Sequence, residues 1–314
     1  MNTRALLVHF LSENRVRELY FARHFYHWSL REERPEPMVI SCFEGGNGFA
    51  DRLRGIISAY AYAKCIGIPY RLEHNEPYRW EDYFVPNHYD WRLRDGEKSY
   101  NLRYARPAFF MDDSRGDHLL KLNHALQRHI YSNQSFLDLL NHTFQTRLKY
   151  HELYNELFCP SKKLQKQIDR VQSEMGTEYV SVSFRFQRLM GDFDDIIGRV
   201  LAESERLVLI DKCRAFLCEL KKKHPEVPRL LVTSDSSTFV HAISDLRFCY
   251  VIPGNIGHLG MAQHESVLMK TFLDFYMISK ARKVYMAHTG EMYRGGFAQS
   301  AAATTNTLYE EIVF

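Results

Sequence analysis

An arginine closes the run Tyr179-Val180-Ser181-Val182-Ser183-Phe184-Arg185. The run reads as a buried parallel strand, and a cation at its end faces the crevice where α/β proteins bind ligands. A guanidinium there can hold a diphosphate by paired hydrogen bonds and neutralise it as a leaving group. Two glycine-marked turns lie on either side of it in the chain. One is Glu44-Gly45-Gly46-Asn47-Gly48-Phe49-Ala50-Asp51-Arg52, the other Met292-Tyr293-Arg294-Gly295-Gly296-Phe297. Each falls between a strand and a helix. Glycines let the backbone approach a ligand closely, and the free N–H groups of a helix start attract anions. Neither turn is GxGxxG, so a dinucleotide fingerprint is absent. The bland alternatives are a tight structural turn with Asp51 as a cap and Arg52 as an exposed charge, and a glycine turn beside a solvated Arg294.

Three further groups could do chemistry. Asp235 ends the strand Leu230–Thr233, where a carboxylate can accept from ribose hydroxyls or a base. It can equally cap the following helix, with Ser236 and Ser237 as rival caps. Asp192-Phe193-Asp194-Asp195 contains a DxD pattern of the kind that holds a divalent metal on a nucleotide-sugar. It lies several residues past its strand, so an acidic surface loop is the preferred reading. His258, His264 and His288 lack metal-ligand spacing, and no metal site is expected.

The elements that must position these groups follow from periodicity. A helix is expected over the first ~30 residues, with Leu6, Phe10, Val16, Leu19 and Tyr20 at roughly helical spacing. The stretch Arg31 to Pro37 ends it. Met38–Phe43 reads as a buried strand, and Leu53, Ile56, Ile57, Tyr60 and Ala61 as one face of a helix stopped by Gly67 and Pro69. Residues ~75–120 read as loop-rich and ~118–145 as helical. Ser161–Glu174 suggests a polar helix. The second half alternates strand 179–186, helix near 203–223 (stripe Leu207, Ile210, Phe216, Leu217, Leu220), strand 230–233, helix 238–246, strand 248–252, helix ~265–281, strand 284–287 and helix 297–303. That alternation predicts a right-handed parallel sheet. Domains are expected at 1–155 and 156–314.

Composition sets the bounds. The chain has 314 residues, 45% of them apolar, and a net charge of +3, so no polyanion-binding footprint stands out and a nucleic-acid role is not expected. Cysteines 42, 65, 159, 213, 218 and 249 show no zinc-type spacing and read as free thiols of a reducing compartment. No secretory signal or membrane-spanning run is evident, so a cytoplasmic protein is expected. The aromatic segment Tyr20–Trp28 is expected to pack on the protein, with a membrane surface as its alternative.

Taken together, the segments resemble the superfamily of α1,2-, α1,6- and protein O-fucosyltransferases, its bacterial nodulation-type members above all. Gly46-x-Gly48-Phe49-x-Asp51-Arg52-Leu53-x-Gly55-x-x-Ser58-Ala59-Tyr60 resembles the family's first segment, and Val182-Ser183-Phe184-Arg185 its HxR segment. Asp274 with its helix, strand 284–287 and Arg294-Gly-Gly-Phe297-x-x-x-Ala301-Ala302 resemble the last. The likeness covers roughly residues 38–86 and 179–312. It implies an α/β fold of the GT-B type, two Rossmann-like domains facing across a cleft. It implies an inverting, metal-independent transfer of fucose from GDP-fucose to a bacterial oligosaccharide or polysaccharide, without a further cofactor. By resemblance, Arg185 contacts the β-phosphate, and Gly296 and Phe297 sit at the phosphate-binding helix start, beside Arg294 and Gly295. Asp235 and Asp274 lie nearer the nucleoside. Asp51 falls beside the reacting sugar, with Asn47, Gly48, Phe49 and Arg52 on the acceptor side. Asp51 is the first candidate for a catalytic base and Glu44 the second. The chain departs from the pattern at Ser183 (usually His), Phe186 (usually a second Arg) and Gly295 (usually small or hydroxylated). These departures keep open a transferase with another nucleotide-sugar donor and a non-catalytic nucleotide- or glycan-binding protein.

Overall fold

The computed structural model describes residues 12–43, 48–76, 78–111, 125–192, 199–257 and 264–314. The chain divides into two compact units, Met1–Trp80 with Val85–Cys159, and Glu81–Phe84 with Pro160–Phe314.

In the first unit, helix Glu13–Phe25 leads to β1 (Met38–Cys42), helix Phe49–Ile66 and β2 (Tyr70–Leu72). The chain then runs through the short β3 (Phe84–Pro86) to β4 (Ala105–Phe110), β5 (Gln127–Ser132), helices Leu137–Phe144 and Tyr150–Leu157, and the short β6 (Phe158–Pro160). The sheet has the order β2-β1-β5-β4, and each neighbouring pair is parallel. β1 is buried throughout and apolar but for Ser41, as a central parallel strand should be. Helix Phe49–Ile66 ends on Gly67 in the left-handed conformation, φ 68°, which a residue with a Cβ adopts at a cost. Its Gly55 lies so close to β5 that an added Cβ would stand 2.0 Å from the Ser132 carbonyl oxygen. Only glycine lets the helix seat there.

The region expected to be loop and helix holds two strands ahead of helix Leu137–Phe144, the part of the expected helix that is present. β4 carries Pro107, and it is one of the sheet's two edge strands, where a missing N–H is tolerated. β5 reads Gln-Arg-His-Ile-Tyr-Ser, yet all six residues are buried. Its polar groups find partners far along the chain. The Gln127 amide donates to the Glu36 and Glu97 carbonyls, at 3.3 and 2.6 Å, and accepts from the Ser99 N–H at 2.8 Å. His129 Nδ1 meets the Tyr26 hydroxyl at 2.5 Å. The first helix also ends earlier than its periodicity suggests, at Phe25, because Tyr26 turns extended and inserts into this cluster.

In the second unit, helix Lys162–Met175 precedes β7 (Tyr179–Phe184), helix Glu203–Lys223, β8 (Arg229–Ser234), helix Ser237–Ala242, β9 (Cys249–Tyr250), helix Glu265–Ser279, β10 (Lys283–His288), helix Phe297–Ala303 and β11 (Leu308–Val313). The sheet order is β11-β10-β7-β8-β9, with parallel pairs throughout. The expected β-α alternation is thus present, extended by β11. Val180, Val182, Phe184, Leu217, Leu230, Val232 and Phe239 form its buried centre. On helix Glu203–Lys223 the inner stripe is Leu209, Ile210, Cys213, Leu217 and Leu220, whereas Leu207 points to solvent. The six cysteines are free thiols.

Candidate active site

β7 is the second unit's central strand, and Arg185 is the first residue beyond its end. The register places Phe184 opposite Ser234, so the chain leaves β7 and β8 at the same level and Asp235 arrives beside Arg185. Arg185 Nη1 lies 2.9 Å from Asp235 Oδ2. Asp235 also accepts the N–H of Phe186 through Oδ1 and of Gln187 through Oδ2, both at 2.8 Å. One carboxylate therefore fixes the turn, in which Gln187 sits at a positive φ of 51°, and orients the guanidinium. Burial pushes the Asp235 carboxyl up, opposed by the Arg185 cation and by the backbone N–H groups. Its side chain is 6% exposed, that of Arg185 27%. The cap of helix Ser237–Ala242 falls elsewhere. The Ser236 hydroxyl accepts the Phe239 N–H, and Asp192 accepts the Ser236 and Ser237 hydroxyls and the Thr238 N–H. Of the DxD pattern, Asp192 is thus a capping group, while Asp194 and Asp195 lie outside the described residues.

The last glycine turn closes on the same arginine. The Tyr293 N–H donates to the Arg185 carbonyl at 3.1 Å. A Cβ on Gly295 would stand 3.6 Å from Cβ and Cγ of Arg185, an ordinary contact. Gly296 precedes the helix Phe297–Ala303 and gives it no side-chain cap. Arg294 points away, 73% exposed and ion-paired with Glu311 on β11, which also meets His288 Nε2 at 2.9 Å. It was expected to be either a phosphate ligand or a solvated charge, and its partner explains its position. At Ser183, where the resembling family carries histidine, the hydroxyl bonds the Thr233 hydroxyl at 2.7 Å.

Asp274 is buried in helix Glu265–Ser279 and paired with Lys270 one turn earlier. Burial pushes its carboxyl up against the pull of the Lys270 cation. Its Oδ1 has no hydrogen-bond partner among the described residues, an acceptor kept out of water. Phe275, the next residue, packs edge-on against Phe297 at 5.3 Å, which ties this helix to the glycine turn. Lys270 was not singled out from the sequence, although its spacing of four from Asp274 is the helical pairing interval.

The first unit gathers a different set at the carboxyl ends of β1 and β2. Asp51, in the first turn of helix Phe49–Ile66, pairs with Arg54, each side chain 37% exposed. Phe49 stacks on Trp80 at 5.3 Å, and Gly48 is the uncapped helix start. Arg52 is not an exposed charge but 1% exposed. Its Nη1 donates to His74 Nε2 at 2.8 Å and to the Glu76 carbonyl at 3.2 Å, and its guanidinium lies over the Phe43 ring. Accepting at Nε2 leaves His74 to donate from Nδ1 to the Tyr78 carbonyl at 3.0 Å. Burial, then the Arg52 charge, press the His74 pKa down to about 3, so the ring stays neutral. Lys98, also missed, reaches this edge from a loop, with its ammonium 2.5 Å from Glu73 and 3.6 Å from Cys42 Sγ. A separation of 56 residues between Lys98 and Cys42 leaves no local signal to find it by. Glu44 and Asn47 lie outside the described residues, as does His258. Among the described residues, no group of three or more His, Cys, Asp and Glu side chains is placed to hold a metal ion.

Solved structures share this architecture. An arginine-to-lysine variant of Arabidopsis thaliana FUT1 in complex with GDP matches with a TM-score of 0.59 at 13% identity, over 96% of this chain and 75% of that one. NodZ α-1,6-fucosyltransferase soaked with GDP-fucose matches with 0.53 at 16% identity, over 86% and 92%. Fucosyltransferase NodZ from Bradyrhizobium matches with 0.54 at 15% identity, over 85% and 93%. No family model matches the chain, and no curated protein matches it in sequence. At these identities the likeness establishes the fold, the α/β GT-B type of these fucosyltransferases, and leaves the chemistry to be argued from the site.

Proposed function

We propose that the protein transfers fucose from GDP-fucose to a glycan acceptor, and that Arg185 neutralises the diphosphate as it leaves. The observation that carries this is the locked arginine at the end of β7, held by the buried Asp235 beneath a glycine turn that folds against its stem. A guanidinium oriented in advance loses little freedom on meeting a phosphate, and its paired N–H groups match two phosphate oxygens. The fold supports the donor class, because, of the similar structures named above, FUT1 is in complex with GDP and one NodZ structure was soaked with GDP-fucose.

In the proposed reaction the bond from the anomeric carbon to the β-phosphate oxygen breaks, and its electron pair leaves with GDP. The acceptor hydroxyl attacks from the opposite face and loses its proton, which inverts the anomeric centre. A preorganised donor on the developing charge is worth about 3–4 kcal/mol. Asp51 is the candidate to take the proton. Asp274, with its unpartnered oxygen, is the candidate acceptor for a nucleoside N–H.

Calorimetric titration with GDP, ADP and UDP tests the donor site, on the wild type and on Arg185→Ala and Arg185→Lys. Selective GDP binding that weakens about tenfold or more in either folded variant is expected. No GDP binding, or binding indifferent to Arg185, would remove the donor site. GDP retention with GDP-fucose left intact, with and without acceptor glycans, would favour a non-catalytic binder instead.

A further inference from the structure

Helix Glu265–Ser279 joins β9 to β10, two strands of the same parallel sheet, so it starts at the sheet's carboxyl edge. It covers the face that carries Tyr179, whose hydroxyl donates to the Met277 carbonyl at 2.7 Å. Side chains alternate along a strand. That face therefore also carries Ser181, Ser183 and, just past the strand, Arg185, while Val180, Val182 and Phe184 fill the opposite core. Lys270 and Asp274 thus lie on the arginine's side of the sheet, with Lys270 one turn nearer the carboxyl edge.

The pair is asymmetric. Lys270 Nζ donates to Oδ2 of Asp274, and Oδ1 has no partner among the described residues. Lys270 is 5% exposed, and its stem lies under the loop after β9. A Cβ at Gly254 would stand 3.1 Å from Cβ and Cδ of Lys270. A carboxyl buried without a cation takes up a proton and then donates as well as accepts. Beside an ammonium it stays ionised, and here Oδ2 is already engaged. No other charge competes for it. Glu265, at the helix start, is paired with Lys163, His288 of β10 with Glu311, and Arg185 with Asp235. Tyr83 stacks on Phe272, and the Tyr179 hydroxyl is held by Met277. Helix Phe297–Ala303 has no titratable side chain, and helix Lys162–Met175 turns Leu164, Ile168, Val171 and Met175 inward. Lys270 is the one charge that bears on Asp274.

We propose that Lys270 is a positioning residue for the nucleobase: it holds the Asp274 carboxylate ionised and turned, so that Oδ1 accepts a ring N–H of the bound nucleotide. This rests on the donor reading above, with Asp274 toward the nucleoside. Guanine suits such an acceptor, because its Watson–Crick edge offers N–H donors where the adenine ring offers an acceptor.

Calorimetric titration with GDP from about pH 6.5 to about pH 8.5 tests it. The reference is Lys270→Met with Asp274→Asn, which keeps an acceptor oxygen, has nothing to titrate and leaves no lone buried charge. Affinities are read as ratios to this reference at each pH, so the nucleotide's own titration cancels. The wild-type ratio should stay constant. For Lys270→Met alone the ratio should fall about tenfold or more at the acid end and recover as pH rises and the lone carboxyl gives up its proton. Lys270→Met with Asp274→Leu, which lacks the acceptor, should bind about tenfold more weakly than the reference at every pH. A lysine with a merely structural role would leave these ratios independent of pH. A wild-type ratio that falls with pH, a flat ratio in folded Lys270→Met, or a leucine variant that binds like the reference would each overturn the proposal. If GDP binding needs Arg185 yet ignores these substitutions, this inference fails alone. No GDP binding, or binding indifferent to Arg185, would remove the donor reading and this inference with it.

Discussion

Two arginines follow parallel strands, Arg52 in the helix after β1 and Arg185 in the loop after β7, and the structure uses the two cations in opposite ways. Arg52, after β1, is 1% exposed, and His74, the Glu76 carbonyl and the Phe43 ring surround it. Arg185, after β7, keeps 27% of its side chain at the surface and is oriented by one carboxylate. The first is a structural tie between helix Phe49–Ile66 and the loop after β2. The second is a charge held in position at a surface. Both follow an inner strand of their sheet in the chain, so that position alone does not distinguish scaffold from site. Solvent access does.

Exchange of the two arginines' roles by mutation is the sharpest test of that contrast. Arg185→Lys keeps a cation beside Asp235 but loses the paired geometry. Turnover of GDP-fucose should fall about a hundredfold, with stability changed by less than about 1 kcal/mol. Arg52→Met should do the reverse. It leaves the His74 Nε2 and the Glu76 carbonyl without their donor in a buried place, at a cost of about 3 kcal/mol in denaturant unfolding, with GDP affinity unchanged. An Arg52 variant that loses GDP binding while keeping its stability would break the distinction.

Next in size is a pH effect confined to the first unit. Folded His74 resists protonation until about pH 3, whereas the unfolded residue takes its proton near 6.5. Its contribution is therefore complete above pH 6.5 and is lost as pH falls towards 3, on the order of 2 kcal/mol by pH 5. Buried His129, held well below its ordinary range by burial and by Lys98, adds in the same direction. Urea midpoints at pH 7.5 and pH 5 should show the loss, and His74→Gln should reduce it. An unchanged pH slope in the variant would assign the effect elsewhere.

The smallest effect expected is at Gly295. A side chain there meets only the Arg185 stem at van der Waals distance. Gly295→Ser should therefore fold as the wild type does, within about 0.5 kcal/mol, and bind GDP as tightly or a few-fold more tightly through the added hydroxyl. Weaker GDP binding in a folded variant would show that the turn needs the bare backbone.

Much of the second unit was legible in advance. β7, β8 and β10 are apolar runs bounded by glycine, proline or charge, and such runs carry their own signal. The same holds for β1 and helix Phe49–Ile66, and for Arg185 at a strand end. β5 was hidden because a strand buried on both faces was expected to be apolar, and Gln127, Arg128 and His129 are not. Pro107 disguised β4 until its edge position was known. β11, with Leu308 and Val313 exposed and Glu310 and Glu311 between them, resembles a terminal loop until β10 is seen beside it.

The sequence by itself determined the parallel α/β class, the central strands, and the arginine and glycines that end them, because each rests on residues a few positions apart. Tertiary structure alone decided what those residues do. Asp235 reaches Phe186 across 49 positions to fix Arg185 in place. His74 reaches back 22 positions to Arg52 and neutralises its prospects as an exposed charge. Asn14 bonds Met111 across 97 positions and so seats a polar side of the first helix against the sheet. Buried polar groups must find partners wherever the fold brings them, and that pairing is a property of the packed chain rather than of any local pattern.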